Sequence, residues 1–401
     1  MKFITKTVWV LSLVSLLTDT ASEMLYPVMP LYLKTIGFSV LLIGILEGMA
    51  EATAGLSKGY FGQRSDLSGR RAPFVQMGYA FSAISKPLMA IFTYPGWVFF
   101  ARSTDRLGKG IRTGARDAML SDEATPETKG RVFGFHRAMD TVGAVLGPAL
   151  ALVYLHYYPE NYKTLFFIAF APGLIAVAAT FVLQDKPVAT KGDSASVSFF
   201  SFLSYWKTSP PAYRKLVVGL LVFALFNSSD AFLLLRAKQL GLEDSWVIGV
   251  YIFYNLVYAL TAFPMGALAD KIGLKFVFLL GLGMFSLVYF GMTIAENPFG
   301  SANPILLLIL FILYGVYAAS TEGISKAWIS NISDKKDTAT AIGTFAGLQS
   351  VITLFASTLT GFIWFQFGAS AAFLTTATAT VVTIIYFLGV PFTRDHAGNA
   401  R

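Results

Sequence analysis

Apolar runs of near membrane-spanning length recur from one end of this 401-residue chain to the other. A helix needs about 20 apolar residues to cross a hydrocarbon core ~30 Å thick. About twelve such runs can be counted, some of them containing a proline or a buried charge. They centre near Leu17, Gly48, Ser82, Asp105, Gly143, Val177, Leu225, Tyr258, Gly283, Leu313, Gln349 and Val381. Backbone in lipid must satisfy its own hydrogen bonds, so runs of this length fold as helices. The low share of charged residues, 13%, agrees; a soluble domain carries about 25%. The expected fold class is an all-α membrane protein with twelve transmembrane helices. The opening MKFITKTVWVLSLVSLL resembles a signal peptide, but no small-residue cleavage site follows, and Asp19 and Glu23 interrupt it. It reads as an uncleaved first helix.

The net charge of +8 is distributed unevenly. Lys58, Arg64, Arg70 and Arg71 fall between the second and third runs, and Lys129 and Arg131 between the fourth and fifth. Lys186, Lys191, Lys207, Arg214 and Lys215 fill the long central segment, and Lys271, Lys275, Lys335 and Lys336 fall in later connections. The alternate connections FTYPG, AENPFGSANP and FQFGAS carry no basic residue. Lys34, Lys163, Arg236 and Lys238 are the exceptions near the opposite face. This is the positive-inside pattern. It predicts a multi-pass protein of a bacterial inner membrane with both termini cytoplasmic, whose basic charge faces lipid head groups rather than nucleic acid. There is no cysteine, and His136, His156 and His396 stand far apart. No metal site, thiol nucleophile or other catalytic constellation is expected, and RLGKG lacks the spacing of a phosphate-binding loop. The chain reads as neither an enzyme nor an ATP-driven pump.

The polar stretch from Gln184 to Pro211 divides the chain. The expected units are 1–184 and 213–401, each of six helices, joined by a cytoplasmic linker over 185–212. The halves echo each other. GQRSDLSGRR (62–71) and GALADKIGLK (266–275) both read G-x-x-x-D-x-x-G-x-[RK], placing Asp66 and Asp270 204 residues apart. STD (103–105) and STE (320–322) repeat at an offset of 217. Paired repeats of this kind build many secondary transporters, with the substrate site at the repeat interface.

With these motifs the chain resembles the major facilitator superfamily over nearly its whole length. Gly62, Asp66, Gly69, Arg70 and Arg71 match the superfamily's signature between helices two and three. In GFHRAMDTVGAVLGPAL, Gly134, Gly143, Gly147 and Pro148 match its antiporter signature on helix five, although Ala151–Leu152 replaces the doubled glycine that usually follows. The fourth-span arginine of that group corresponds to Arg102, while its Gln-Gly pair is Asp105–Arg106 here, a departure from the drug-antiporter pattern. The pairing of TDTASEM with DRLGKGIRTGARDAM resembles a group of bacterial transporters. The resemblance implies two pseudo-symmetric six-helix bundles, alternating access, a central cavity lined by helices one, four, seven and ten, and a loop latch that stabilises the outward-facing state. In that latch Asp66 would hold the positive end of a neighbouring helix and Arg70 would bridge to a carboxylate, with Asp270 as the repeat's counterpart.

The stretch RSTDRLGKGIRTGARDAML is the most charged of the apolar runs. At about 100° per residue, Arg102, Asp105, Arg106, Lys109, Arg112 and Arg116 share an arc of about 120°. Charges within a span face protein or a water-filled cavity, so this stripe is expected to face the central cavity. Arg102, Arg106 and Lys109 are nearest the midplane and are the leading substrate-binding candidates, with Asp105, Tyr26, Asp230, Tyr251, Asn255 and Lys326. The stripe can bind an anionic or zwitterionic solute, or it can neutralise Glu47, Glu51, Asp105 and Asp140. Asp19, Glu23, Asp140, His136 and Glu322 are the proton-coupling candidates, and each can equally be a structural counter-ion. Asp19 and Glu23 are expected to form a close carboxylate pair at i, i+4.

The function expected is secondary active transport of a small organic solute by a monomer, driven by a proton gradient and without a cofactor, in the direction of efflux. Proton-coupled import of a small organic anion or siderophore-like metabolite is the alternative. A non-transporting membrane sensor is the reading from another class.

Overall fold

The computed structural model describes residues 4–26, 28–185, 198–227, 230–242, 244–295 and 303–391. The first half contains α1 (Lys6–Leu25), α2 (Met29–Thr35), α3 (Val40–Ser68), α4 (Ala72–Ile91), α5 (Pro95–Asp122), α6 (Lys129–Tyr157) and α7 (Tyr162–Thr180). A short helical turn (Ser201–Ser204) runs into α8 (Tyr205–Thr208). The second half contains α9 (Pro211–Phe226), α10 (Ala231–Gln239), α11 (Asp244–Ile272), α12 (Leu274–Thr293), α13 (Pro304–Ile332), α14 (Thr338–Phe367) and α15 (Ala369–Gly389).

Local chemistry sets the helix ends. The side chains of Thr5, Ser39 and Asn303 each accept a backbone N–H of the first turn that follows, satisfying donors with no intrahelical partner. Proline opens α5, α9 and α13, where its missing N–H costs nothing. Gly69 ends α3 in the left-handed conformation at φ 63°, which only glycine adopts without strain. That explains one glycine of the 62–71 motif.

Two spans are broken. α1 and α2 form the first span with its break beside Tyr26, and α9 and α10 form the seventh with its break beside Asp230. Tyr26 and Asp230 are 204 residues apart, the same offset as Asp66 and Asp270. With α3 to α7 and α11 to α15 as the others, the chain makes twelve transmembrane segments in two pseudo-symmetric bundles. Among the described residues eight helices qualify as spans on length and composition alone, or nine if the bent pair at 201–226 is one span. α3, α4 and α5 fall short because of polar residues such as Glu51, Lys58, Lys86 and the α5 stripe. Those residues are what the interior of the molecule is built to hold.

Each half has its own apolar core, one around Phe285, Tyr289 and Phe373, the others around Tyr32 and Phe166 and around Val75 and Phe133. The strongest packing between the halves is α3 on α14 and α6 on α11, spans two on eleven and five on eight. Two expectations change. α3 continues to Ser68, so Lys58 and Arg64 are helical rather than in a loop, and Lys58 faces the interior. Lys186, Lys191, His396 and residues 186–197 of the 185–212 linker lie outside the described residues.

Candidate functional site

The bundles close on each other at the end carrying the Gly69 turn, through two equivalent latches. Asp66, near the end of α3, accepts from the backbone N–H of Thr340 at 2.7 Å and from its hydroxyl at 2.8 Å. Thr340 is in the first turn of α14, where free N–H groups and the helix dipole favour a carboxylate. Asp270, near the end of α11, accepts from the N–H groups of Gly130 at 2.7 Å and Arg131 at 3.0 Å, and from Arg131 Nε at 2.8 Å. These residues open α6. Each bundle thus caps a helix of the other. Glycine permits the approach: a Cβ on Gly62 would meet the Ala339 carbonyl at 2.5 Å, and one on Gly266 the Gly130 carbonyl at 2.2 Å. The arginine of the first latch is Arg71, which corrects the expectation for Arg70. Arg71 bonds Asp66 at 3.1 Å, Asp122, and the Lys335 carbonyl at 3.1 Å. Arg70 is exposed, with no carboxylate in ion-pair range among the described residues.

The helix-five motif divides between two contacts. Gly134 packs on Ala262 and Gly266 of α11, across the bundles, whereas Gly143 and Gly147 pack on Leu16, Thr20 and Met24 of α1. Pro148 lies within α6.

Beyond the latches a cavity of about 440 Å³ lies between the bundles. All six residues of the α5 stripe line it, together with Tyr26, Asp230, Tyr251, Asn255 and Lys326. Asp19, Glu23, Asp140 and Glu322 also line it, and His136 does not. His136 is buried, with Nδ1 at 3.5 Å from the Ser12 hydroxyl. The two walls differ. Among the described residues the amino-terminal wall carries eight basic and four acidic side chains; the carboxy-terminal wall carries one basic and two acidic, with Tyr251, Tyr254, Tyr258, Tyr314 and Tyr317.

Most stripe residues have counter-ions. Asp105 lies 2.7 Å from Lys86 and 3.6 Å from Arg102, which explains a lysine in the middle of α4. Arg106 reaches Glu51 at 3.4 Å. Arg116 lies 2.9 Å and Lys326 2.8 Å from Asp117, joining the two halves. Arg112 stacks on Tyr79 at 4.5 Å and donates to Ser82 at 2.6 Å. Among the described residues no carboxylate is within ion-pair range of Lys58, Lys109 or Arg112. Lys109 is the exposed one of the three.

Asp19 and Glu23, the carboxyl pair expected on α1, both face the cavity, and Asp140 on α6 is a second acidic neighbour of Asp19. Asp140 also accepts from Ser15 at 2.5 Å and pairs with Arg137 at 2.5 Å. Arg137 was not among the sequence candidates, yet it pairs with Glu322 across the bundles and bonds the Tyr258 hydroxyl. Its signal was present as the i, i+3 partner of Asp140. Asp117 was missed because it lies beside the stripe rather than on it. Asp230 accepts from Tyr254 at 2.6 Å and Tyr314 at 2.5 Å.

The model of the Major Facilitator Superfamily matches residues 11–254 and 237–401, which is nearly the whole chain. The chain belongs to this superfamily. It is 33% identical to an uncharacterized MFS-type transporter of Methanocaldococcus jannaschii over 370 residues, covering 90% of this chain and 89% of that one. The structure of the human organic anion transporter MFSD10 superposes with a TM-score of 0.77 at 15% identity, covering 95% and 98% of the two chains. The Escherichia coli fucose:proton symporter FucP gives 0.74 at 13%, covering 97% and 99%. A weaker similarity, 21% over 188 residues, covers 46% of this chain and 35% of an Aspergillus niger citrate exporter. The superfamily fold makes the chain a multi-pass membrane transporter rather than an enzyme, and places the cavity where secondary transporters bind small molecules.

Proposed function

We propose that this major facilitator carries a small organic anion across the bacterial inner membrane together with a proton. The carrying observation is Lys109, a cavity-facing cation with no carboxylate in ion-pair range, amid the basic amino-terminal wall. An anion entering this cavity gains charge-assisted bonds without first breaking an ion pair at Lys109. It also competes with Asp140 for Arg137, and a carboxylate that loses its cation takes up a proton more readily. Anion and proton binding then assist each other, which is the linkage a symporter needs. Asp19 and Asp140 are the proposed proton site; His136 is buried and off the cavity lining. In this reading the latches close the cytoplasmic side, both termini are cytoplasmic, and the protein works as a monomer without a cofactor. MFSD10 is an organic anion transporter, which accords with it.

A second reading, efflux by proton antiport, is favoured by the helix-five glycines and by the partial likeness to a citrate exporter. One experiment separates the two. Purified protein in right-side-out liposomes is given radiolabelled di- and tricarboxylates under an imposed pH step. Symport predicts accumulation when the outside is acid; antiport predicts it when the lumen is acid. Accumulation in neither condition by a folded protein refutes proton coupling. Asp19→Asn combined with Asp140→Asn is expected to abolish gradient-driven accumulation while sparing exchange.

A further inference from the structure

Lys109 and most of the other basic groups occupy one wall of the cavity, and the opposite wall, with Lys326 as its basic side chain among the described residues, has an acidic corner that anion transport leaves unused. Asp230 sits at the break between α9 and α10, where discontinuous helices in transporters present binding groups. Its carboxylate is satisfied by neutral donors alone, the hydroxyls of Tyr254 and Tyr314. Among the described residues no lysine or arginine is within ion-pair range of it, and the acid Glu322 is among its charged neighbours.

The surrounding rings form a connected cluster. Tyr254 lies edge-on to Tyr251 at 5.5 Å and to Tyr314 at 5.3 Å, and Tyr314 is 5.3 Å from Tyr317. All four rings and Asp230 line the cavity. Aromatic rings clustered beside a carboxylate are the chemistry that holds an ammonium group, through the ring quadrupole and the anion together. An anion would be repelled from this corner, and a plain apolar tail would leave the carboxylate without a counter-charge.

Resting on the anion reading above, we infer that the transported solute is a zwitterion, its carboxylate held at Lys109 and its ammonium group received by Asp230 and the tyrosines around it. The repeat supports the assignment. Tyr26 occupies the equivalent break in the first half, so of the two breaks the carboxy-terminal one places the acidic side chain, and the two breaks are electrically unlike.

The test uses the intact protein in detergent and a matched set of probes: 4-trimethylammoniobutanoate, its carbon isostere 5,5-dimethylhexanoate, and the cationic amide 4-trimethylammoniobutanamide. A longer set built on octanoate covers a second end-to-end distance. Binding is read as ligand-dependent thermal stabilisation. The zwitterion of one set is expected to bind about tenfold or more tighter than either isostere, the worth of one well-placed charged contact. Asp230→Asn, which keeps the size of the side chain, should remove that preference without weakening the anionic isostere. Equal binding of zwitterion and anion by the native protein overturns this inference and leaves the anion reading standing. Best binding by the cationic amide overturns the anion reading and leaves the acidic corner as the site. No stabilisation by any probe overturns both. An unchanged zwitterion preference in Asp230→Asn overturns the role of this carboxylate. The comparison of isosteres on native protein requires no variant to fold.

Discussion

Neutralising both latches should open the seam between the bundles. Asp66 makes two bonds to Thr340, at 2.7 and 2.8 Å, and Asp270 makes three to Gly130 and Arg131. A hydrogen bond to a charged group is worth ~1.5–3 kcal/mol, against ~0.5–1.5 kcal/mol for a neutral one. Asparagine keeps an acceptor but loses the charge, so each substitution costs about 1 kcal/mol per bond, or about 2 kcal/mol at Asp66 and about 3 kcal/mol at Asp270. About 2 kcal/mol shifts a two-state balance roughly thirtyfold. The latches share no partner, so Asp66→Asn with Asp270→Asn should shift it roughly 5,000-fold. The chain has no cysteine, so spin labels can be placed directly at Ser68 and Lys336, both exposed at the latch end. Electron–electron distance measurements on the native background should give one short distance. The double variant should add a longer population that becomes dominant. A single short distance in the double variant would refute the latch, and would leave the Gly62–Ala339 and Gly266–Gly130 contacts as what holds the seam.

Three further outcomes follow from the same geometry. Phe202, beside the seam, fills the space above Gly59 on α3 and lies against Gly347 on α14; Phe202→Ala should raise the open population in the same distance measurement, by about the 3–5 kcal/mol of a truncated buried ring if all of its contact is confined to the closed state. Arg137→Gln leaves Asp140 and Glu322 without their shared cation. Thermal unfolding should show a loss of about 1–2 kcal/mol, because Asp140 is buried but Glu322 is half exposed and its pairing is screened by water, and uptake should fall with it. Cysteines at Ser68 and Thr93 should react with impermeant reagents from opposite sides of the membrane; labelling from one side would overturn the proposed topology.

The sequence carried the fold because its signals are long and redundant. Apolar runs near span length, loops of alternating charge and the repeat of Asp66 at Asp270 each point to two bundles of six helices. The α5 stripe was legible because helical periodicity fixes which residues share a face, whatever they then touch. Pairings were less legible, since they depend on how neighbouring helices are rotated and shifted against each other. Asp19 has Asp140 as an acidic neighbour across the α1–α6 contact as well as Glu23 on its own helix. Arg71, not Arg70, bridges Asp66 and Asp122, because the Gly69 turn aims one side chain inward and leaves the other exposed. Arg137 escaped notice because nothing in one helix reveals that Glu322 and Tyr258 will arrive from the other bundle.

The central claim is that the cavity is reachable by water and favours anions near Lys109. It can be tested without knowing the solute. Ala144 lines the cavity and is half-buried. A cysteine there, in an otherwise cysteine-free chain, can be reacted in turn with a negatively and a positively charged methanethiosulfonate of similar size. Relative to a small thiol in solution, the anionic reagent should react faster at this position, and Lys109→Gln should reduce that advantage. Faster reaction of the cationic reagent, or a ratio indifferent to Lys109, would contradict the claim.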